Sequence, residues 1–187
     1  MDEPACQEQL IQWLLNDHQR MQVLHQAADF CEKYHLTDWC LAAGFVRNLV
    51  WDHLHGYLEV TALDDIDLIY FDRTHVASER DKALELTLWQ QCDLNWSVKN
   101  QARMHTRNDD MPYKNTQDAM SYWPEVETAV GVLIKQKKLK IIAPFGLTSL
   151  FSANVSLNLK RPKPEIFYQR IKQKRWLEQW PQLQIKL

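Results

Sequence analysis

The stretch Asp64-Asp65-Ile66-Asp67-Leu68-Ile69-Tyr70-Phe71-Asp72 decides how the rest of this 187-residue chain is read. Ile66 to Phe71 is a short run rich in apolar, β-branched and aromatic residues, with charged residues at both ends. That is the pattern of a strand deep in a sheet. Side chains two apart in a strand leave the same face, so Asp65 and Asp67 point together. Two carboxylates at the mouth of a buried strand repel each other, and a divalent cation removes the cost. Mg²⁺ prefers a few carboxylates plus substrate phosphates. The plainer alternative is a strand end whose aspartates face water.

Length and composition bound the answer. Apolar content of 45% and charged content of 25% are those of an ordinary globular chain. One domain over 1–187 is expected, with N-terminal helices over 1–37, core sheet and helices over 39–160, and a basic helix and tail over 161–187. No run of 18 apolar residues is present, and Met1-Asp2-Glu3-Pro4 has neither the basic nor the apolar region of a signal peptide. Cys6, Cys31, Cys40 and Cys92 lack metal-finger spacing and read as reduced thiols. A cytoplasmic location without membrane partners follows as an expectation. Charge is uneven: residues 131–187 hold 12 basic and 2 acidic side chains, against a net charge of −2 for the whole chain. Such a split marks either a surface facing a polyanion such as RNA or a solvated face complementing an acidic half.

Upstream of the aspartates, apolar steps of three and four over residues 5–34 predict helices, broken at Asn16-Asp17-His18. Trp39 to Ala43 reads as a buried strand ending at Gly44, where a sharp turn needs a residue without Cβ. Val46, Leu49, Val50 and Leu54 then form one helical stripe, closed by Gly56. A helix N-terminus after such a turn offers free N–H groups to a phosphate, and Arg47 in its first turn can add a forked contact. The pair His53 and His55 is discounted as a metal site, because residues two apart do not share a helix face.

At this point a resemblance becomes specific. Ala43-Gly44-Phe45-Val46-Arg47-Asn48, Trp51, Leu54-His55-Gly56 and Asp65 to Asp72 resemble a small bacterial nucleotidyltransferase-like family of the DNA polymerase β nucleotidyltransferase superfamily. Val98 to His105, Trp123-Pro124, Thr128 to Val132 and Ala143 to Leu147 match as well, so the likeness runs from about Trp39 to Trp180-Pro181. Phe45 departs from the Ser or Gly usual after the glycine, and the gap from Gly44 to Asp65 is longer than the superfamily's. The resemblance implies an α/β fold of the α+β type: a mixed sheet flanked by helices, with an N-terminal helical pair and a C-terminal helix.

Downstream, residues 78–91 predict a helix with Ser78 and Asp81 in a capping arrangement, and Asn95 to Met104 predict a strand. Residues 106–116 predict a polar loop, Thr116 the cap of a short helix, Val130–Ile134 and Leu139–Ala143 a hairpin, and Pro164 the start of a basic helix. The superfamily's third metal carboxylate would fall at Ser97, whose hydroxyl is a poor Mg²⁺ ligand.

The resemblance implies transfer of NMP from an NTP to an acceptor it does not identify. In that reading Asp65 and Asp67 hold Mg²⁺ (or Mn²⁺), and Gly44, Phe45, Arg47 and Asn48 cradle phosphates. Ser97, Lys99, Asn100 and Arg103 are candidates for the substrate cleft, though a sheet's outer face also accounts for Lys99 and Arg103. The alternative function is a degenerate relative that binds nucleotide or RNA without turnover.

Overall fold

The computed structural model describes residues 1–187. Two helices come first, α1 (Glu3–Asn16) and α2 (His18–Lys33), with Asp17 capping the second by accepting from the Arg20 N–H. Then follow β1 (Trp39–Ala42), α3 (Gly44–Leu54), β2 (Ile66–Tyr70), α4 (Ser78–Gln91) and β3 (Trp96–Asn100). The short α5 (Met104–Asn108) and α6 (Thr116–Met120) lead to the hairpin of β4 (Gly131–Lys135) and β5 (Lys138–Ile142). The chain ends with α7 (Thr148–Phe151), β6 (Asn154–Ser156), α8 (Pro164–Gln173), α9 (Trp176–Gln179) and β7 (Gln184–Lys186). No helix is long and apolar enough to cross a membrane, and all four cysteines are free.

The main sheet runs β3-β2-β1-β4-β5. Only the β2–β3 pair is parallel, because α4 carries the chain back between them; the other neighbours are antiparallel. This mixed sheet with flanking helices is the α+β arrangement expected from the sequence. β1 is buried along its whole length, as its apolar run requires. The register sets Asp67 between Ala42 on one side and Ser97 on the other.

Several local expectations are corrected. The turn before α3 puts its positive φ of 53° on Ala43, not on Gly44. An alanine there is strained, by about 1–3 kcal/mol. Ser78 does not cap α4; Ala77 precedes it without a side-chain bond, and Asp81 is buried beneath. The strand from Asn95 stops at Asn100, whose side chain accepts from the Ala102 N–H and starts a 3₁₀ turn over Gln101–Arg103. Asn115 caps α6, while Thr116 binds Asp38. The parallel pair β6–β7 joins segments too short to show a period.

The tail closes over α3. Trp51 meets the edges of Trp176 and Trp180 at 5.6 and 5.0 Å. Beneath them the buried Asp52 carboxylate accepts from Trp180 Nε1 at 2.8 Å and from the Thr61 N–H and hydroxyl at 2.8 and 2.7 Å. One charge so ties α3 to the segment ahead of Asp65 and to the C-terminus. The packing of β1 on β4 is equally strict. A Cβ at Gly131 would lie 2.6 Å from Cys40 Sγ and 3.2 Å from the Leu41 carbonyl. Gly131→Ala is therefore expected to cost about 1–3 kcal/mol of stability by urea denaturation. The double variant with Cys40→Ala should lose less than the sum of the two singles; strict additivity would locate the strain elsewhere.

Candidate active site

α3, the segment before β2, and the tail enclose a polar cavity of about 200 Å³. Gly44, Arg47 and Asn48 line one side, Asp64, Asp65 and Asp67 another, and Arg170, Lys174, Trp176 and Trp180 the third. Asp65, Asp67, Gly44, Arg47 and Asn48 were read from the sequence, and the fold brings them to one hollow. Gly44 is the first residue of α3, so the free N–H groups of an 11-residue helix begin beside the aspartates. A side chain at Gly44 would meet the Arg47 guanidinium and the Asn48 amide at 3.6 Å. Its lack of Cβ therefore leaves open the space in front of those two groups, rather than relieving the turn.

Arg47 is 6% exposed. Its guanidinium stacks between Trp51 and Trp176, 4.8 and 4.5 Å from the ring centres. Nη1 donates to Thr128 Oγ1 at 3.0 Å and Nη2 to Asn48 Oδ1 at 2.9 Å. Burial lowers its pKa to about 10, with Arg170 adding to the effect and Glu125, Asp67 and Asp65 opposing it. It stays a cation at neutral pH. Asp67 shifts the other way. Burial first, then the charge of Asp65, push its carboxyl above the ordinary range, while Ser97, Arg47 and Lys174 pull it back.

Arg170 and Lys174 are site residues that the sequence did not single out. Arg170 Nε donates at 2.7 Å to Glu125, which is wholly buried, and Lys174 Nζ lies 3.0 Å from Asp64. They stand four apart on and just past α8, on the face toward the aspartates, a spacing visible in the sequence only once that helix is known to dock here. Ser97 sits beside Asp67 in register on β3.

The other cleft candidates are engaged elsewhere. Lys99 pairs with Glu85 at 2.9 Å. Asn100 knots the end of β2, donating to the Asp72 and His75 carbonyls and accepting from the Asp72 N–H. Arg103 binds Asp81, which also accepts from the Tyr70 hydroxyl. Phe45 turns away from the polar cavity and walls a neighbouring one. No residue of the 106–116 segment lines the polar cavity.

No cluster of three or more His, Cys, Asp or Glu side chains capable of holding a metal occurs. The available donor set is the Asp65–Asp67 pair. Two close carboxylates, one of them held above its usual pKa by burial and repulsion, fit a hard divalent cation that completes its shell with phosphate and water oxygens. Because its folded-state pKa is raised, Asp67 costs the fold nothing below the unfolded value of about 3.8 and destabilises it as pH rises through the folded pKa. Asp67→Asn is thus expected to raise Tm at pH 7, with the gain disappearing as pH falls toward 4. Millimolar Mg²⁺ should raise the Tm of the wild type but not of the variant, read by calorimetry.

The comparisons with known proteins bear on the family and the fold. A family model described as Nucleotidyltransferase matches residues 29–185. An NMR structure that reveals a CCA-adding enzyme head domain is 28% identical, with a TM-score of 0.79 over 96% of this chain and 95% of that one. A CCA-adding enzyme in complex with CTP shares the fold at 13% identity and a TM-score of 0.60, over 100% of this chain and 44% of that one. A tRNA-processing enzyme complex does so at 13% identity and 0.57, over 86% and 43%. The chain therefore spans less than half the length of those two enzymes. No curated protein matches. By its sequence over residues 29–185 and by its fold, this chain belongs to the nucleotidyltransferase family.

Proposed function

We propose that the polar cavity transfers NMP from an NTP to an acceptor hydroxyl. One observation carries the reading: the carboxylates of Asp65 and Asp67 line one 200 Å³ hollow together with a helix N-terminus and with Arg47, Arg170 and Lys174. Such a set suits a triphosphate, whose charge needs cations and N–H donors, and a metal, which needs the acids. In the reaction the acceptor hydroxyl gives its proton to solvent as its oxygen attacks the α-phosphorus, the bond from that phosphorus to the bridging oxygen breaks, and pyrophosphate leaves. A divalent cation on Asp65 and Asp67 would neutralise the charge that develops around the α-phosphoryl group.

The chain's own part is placement. The α3 N-terminus and Asn48 offer donors to phosphate oxygens. Arg47 is fixed by two tryptophans and two hydrogen bonds, so it presents charge without reorganising. Glu125 orients Arg170 through Nε and leaves its remaining donors toward the cavity. Lys174, half-exposed at the rim, is suited to the departing pyrophosphate.

The acceptor class draws on weaker support. The likeness to a CCA-adding enzyme head domain and the basic C-terminal part favour RNA. Many of the basic residues are spent within the fold, however. Arg161 pairs with Asp110, Lys163 lies within 3.9 Å of it, Arg170 pairs with Glu125 and Arg175 with Glu178. A second reading, nucleotide binding without turnover, is favoured by Ser97 beside Asp67, because a hydroxyl replaces the carboxylate expected to hold a second metal.

Pyrophosphate release with each NTP, Mg²⁺ or Mn²⁺ and RNA separates the two. Under the transfer reading Asp67→Asn abolishes turnover and Arg170→Ala lowers it by about 100-fold, the scale of losing one group aimed at developing charge. Equal rates in wild type and Asp67→Asn would refute transfer. Under the binding reading only Ser97→Asp, which supplies the third carboxylate, shows turnover.

A further inference from the structure

The main sheet ends in two unlike edges. At β3, carboxylates of α4 close the edge: Glu85 accepts from the Val98 N–H at 2.9 Å and Asp81 from the Asn100 N–H at 3.0 Å. The β5 edge has no such cover. Gln136 and Lys137, both at positive φ, form the two-residue turn between β4 and β5. Lys135 and Lys138 flank that turn as a hydrogen-bonded pair. Alternation along the ladder then turns the N–H and C=O groups of Leu139 and Ile141 outward. No other segment of the chain bonds to them.

The side chains of this edge alternate too. Leu139 stands opposite Ile134 in register, and both line a groove of about 1390 Å³ between the hairpin and the first two helices. Ile11, Leu15 and Met21 continue its apolar wall, while Asp29 and Glu32 of α2 give it an acidic border. Lys138 and Lys140 belong to the opposite set and are exposed, Lys138 at the groove's rim. Neither of them, nor Lys135 or Lys137 beside them, pairs with a carboxylate. Lysines on an open edge keep a second copy of β5 from pairing with it, because like charges would face each other. A strand of opposite charge meets no such barrier.

We propose that the β5 edge accepts an extended acidic peptide segment of another protein as a sixth, antiparallel strand. Leu139 and Ile141 supply the backbone bonds. The partner's acidic residues lie opposite Lys138 and Lys140, and its apolar residues lie over Leu139 toward the groove. Acids turned to the groove side would meet Asp29 and Glu32, so those two fix the face that the partner presents. The edge stands apart from the polar cavity, which none of its residues lines.

The test titrates the whole protein with capped Glu-Val-Glu-Val-Glu-Val-Glu and with its Lys-Val counterpart, followed by NMR amide shifts and hydrogen exchange. At saturation the acidic peptide should slow exchange of the Leu139 and Ile141 amides by about 10-fold or more, and the basic peptide should not bind. N-methylation of the peptide's valines, which face Leu139 and Ile141, should abolish binding; N-methylation of its glutamates should leave it. Lys138→Glu with Lys140→Glu should weaken the acidic peptide by about 10-fold and let the basic one bind, a gain that only a folded variant can show. An acidic peptide that does not bind, or that binds equally well with methylated valines, overturns the proposal. So does equal binding of the acidic and basic peptides. A short RNA that shifts the hairpin amides where the acidic peptide does not would make this a polyanion surface, and overturns it as well.

Discussion

A guanidinium buried between two tryptophans is the constraint on which this structure depends. Arg47 cannot lose its charge at neutral pH, and burying an uncompensated cation would cost several kcal/mol. The protein meets that cost with aromatic faces from Trp51 and Trp176, with Thr128 and Asn48 as acceptors, and with the acids Glu125, Asp65 and Asp67 nearby. Asn48 and Trp51 share α3 with Arg47, and the others arrive on separate parts of the chain. Holding one cation therefore fixes α3 against β2, the segment before β4, and the C-terminal helices together.

The same arrangement explains why the tail belongs to the site. Trp176 and Trp180 are buried on Trp51, and Trp180 donates to Asp52, so α9 cannot leave without exposing an acid and three indole rings. Because α8 precedes it, Arg170 and Lys174 are delivered to the aspartates. Glu125, buried beneath, selects the orientation of Arg170. Packing and electrostatics here are one problem: the tryptophans that exclude water also raise the strength of the charges they enclose.

Acidic and basic groups are balanced within the cavity rather than across the surface. Asp67 is pushed toward its neutral form by burial and by Asp65, and pulled back by Arg47 and Lys174. A site with its acids partly frustrated gains most from a ligand that carries both a metal and phosphates. Ala43 adds a local strain, holding a positive φ so that α3 can start beside the strand end.

The sequence by itself determined the local elements near the site. The apolar run from Ile66 to Phe71 announces a strand, and the stripe from Val46 to Leu54 announces α3 by its three- and four-residue steps. Phosphate donors at the α3 start were legible for the same reason: they follow from neighbours in the chain, whereas Ser97 stood out only through the family resemblance. Only the tertiary structure decided the rest. Lys174 lies 110 residues beyond its partner Asp64, and Glu125 is 45 from Arg170. No period or motif encodes a contact across such distances. Asn100 and Arg103 looked available for a cleft because polarity is visible in sequence, whereas the Asp72 backbone and the buried Asp81 carboxylate that claim them are brought there by β2–β3 pairing and α4 packing. A residue's chemical type is set by the chain, but whether its donors remain free for a ligand is set by what folding places against them.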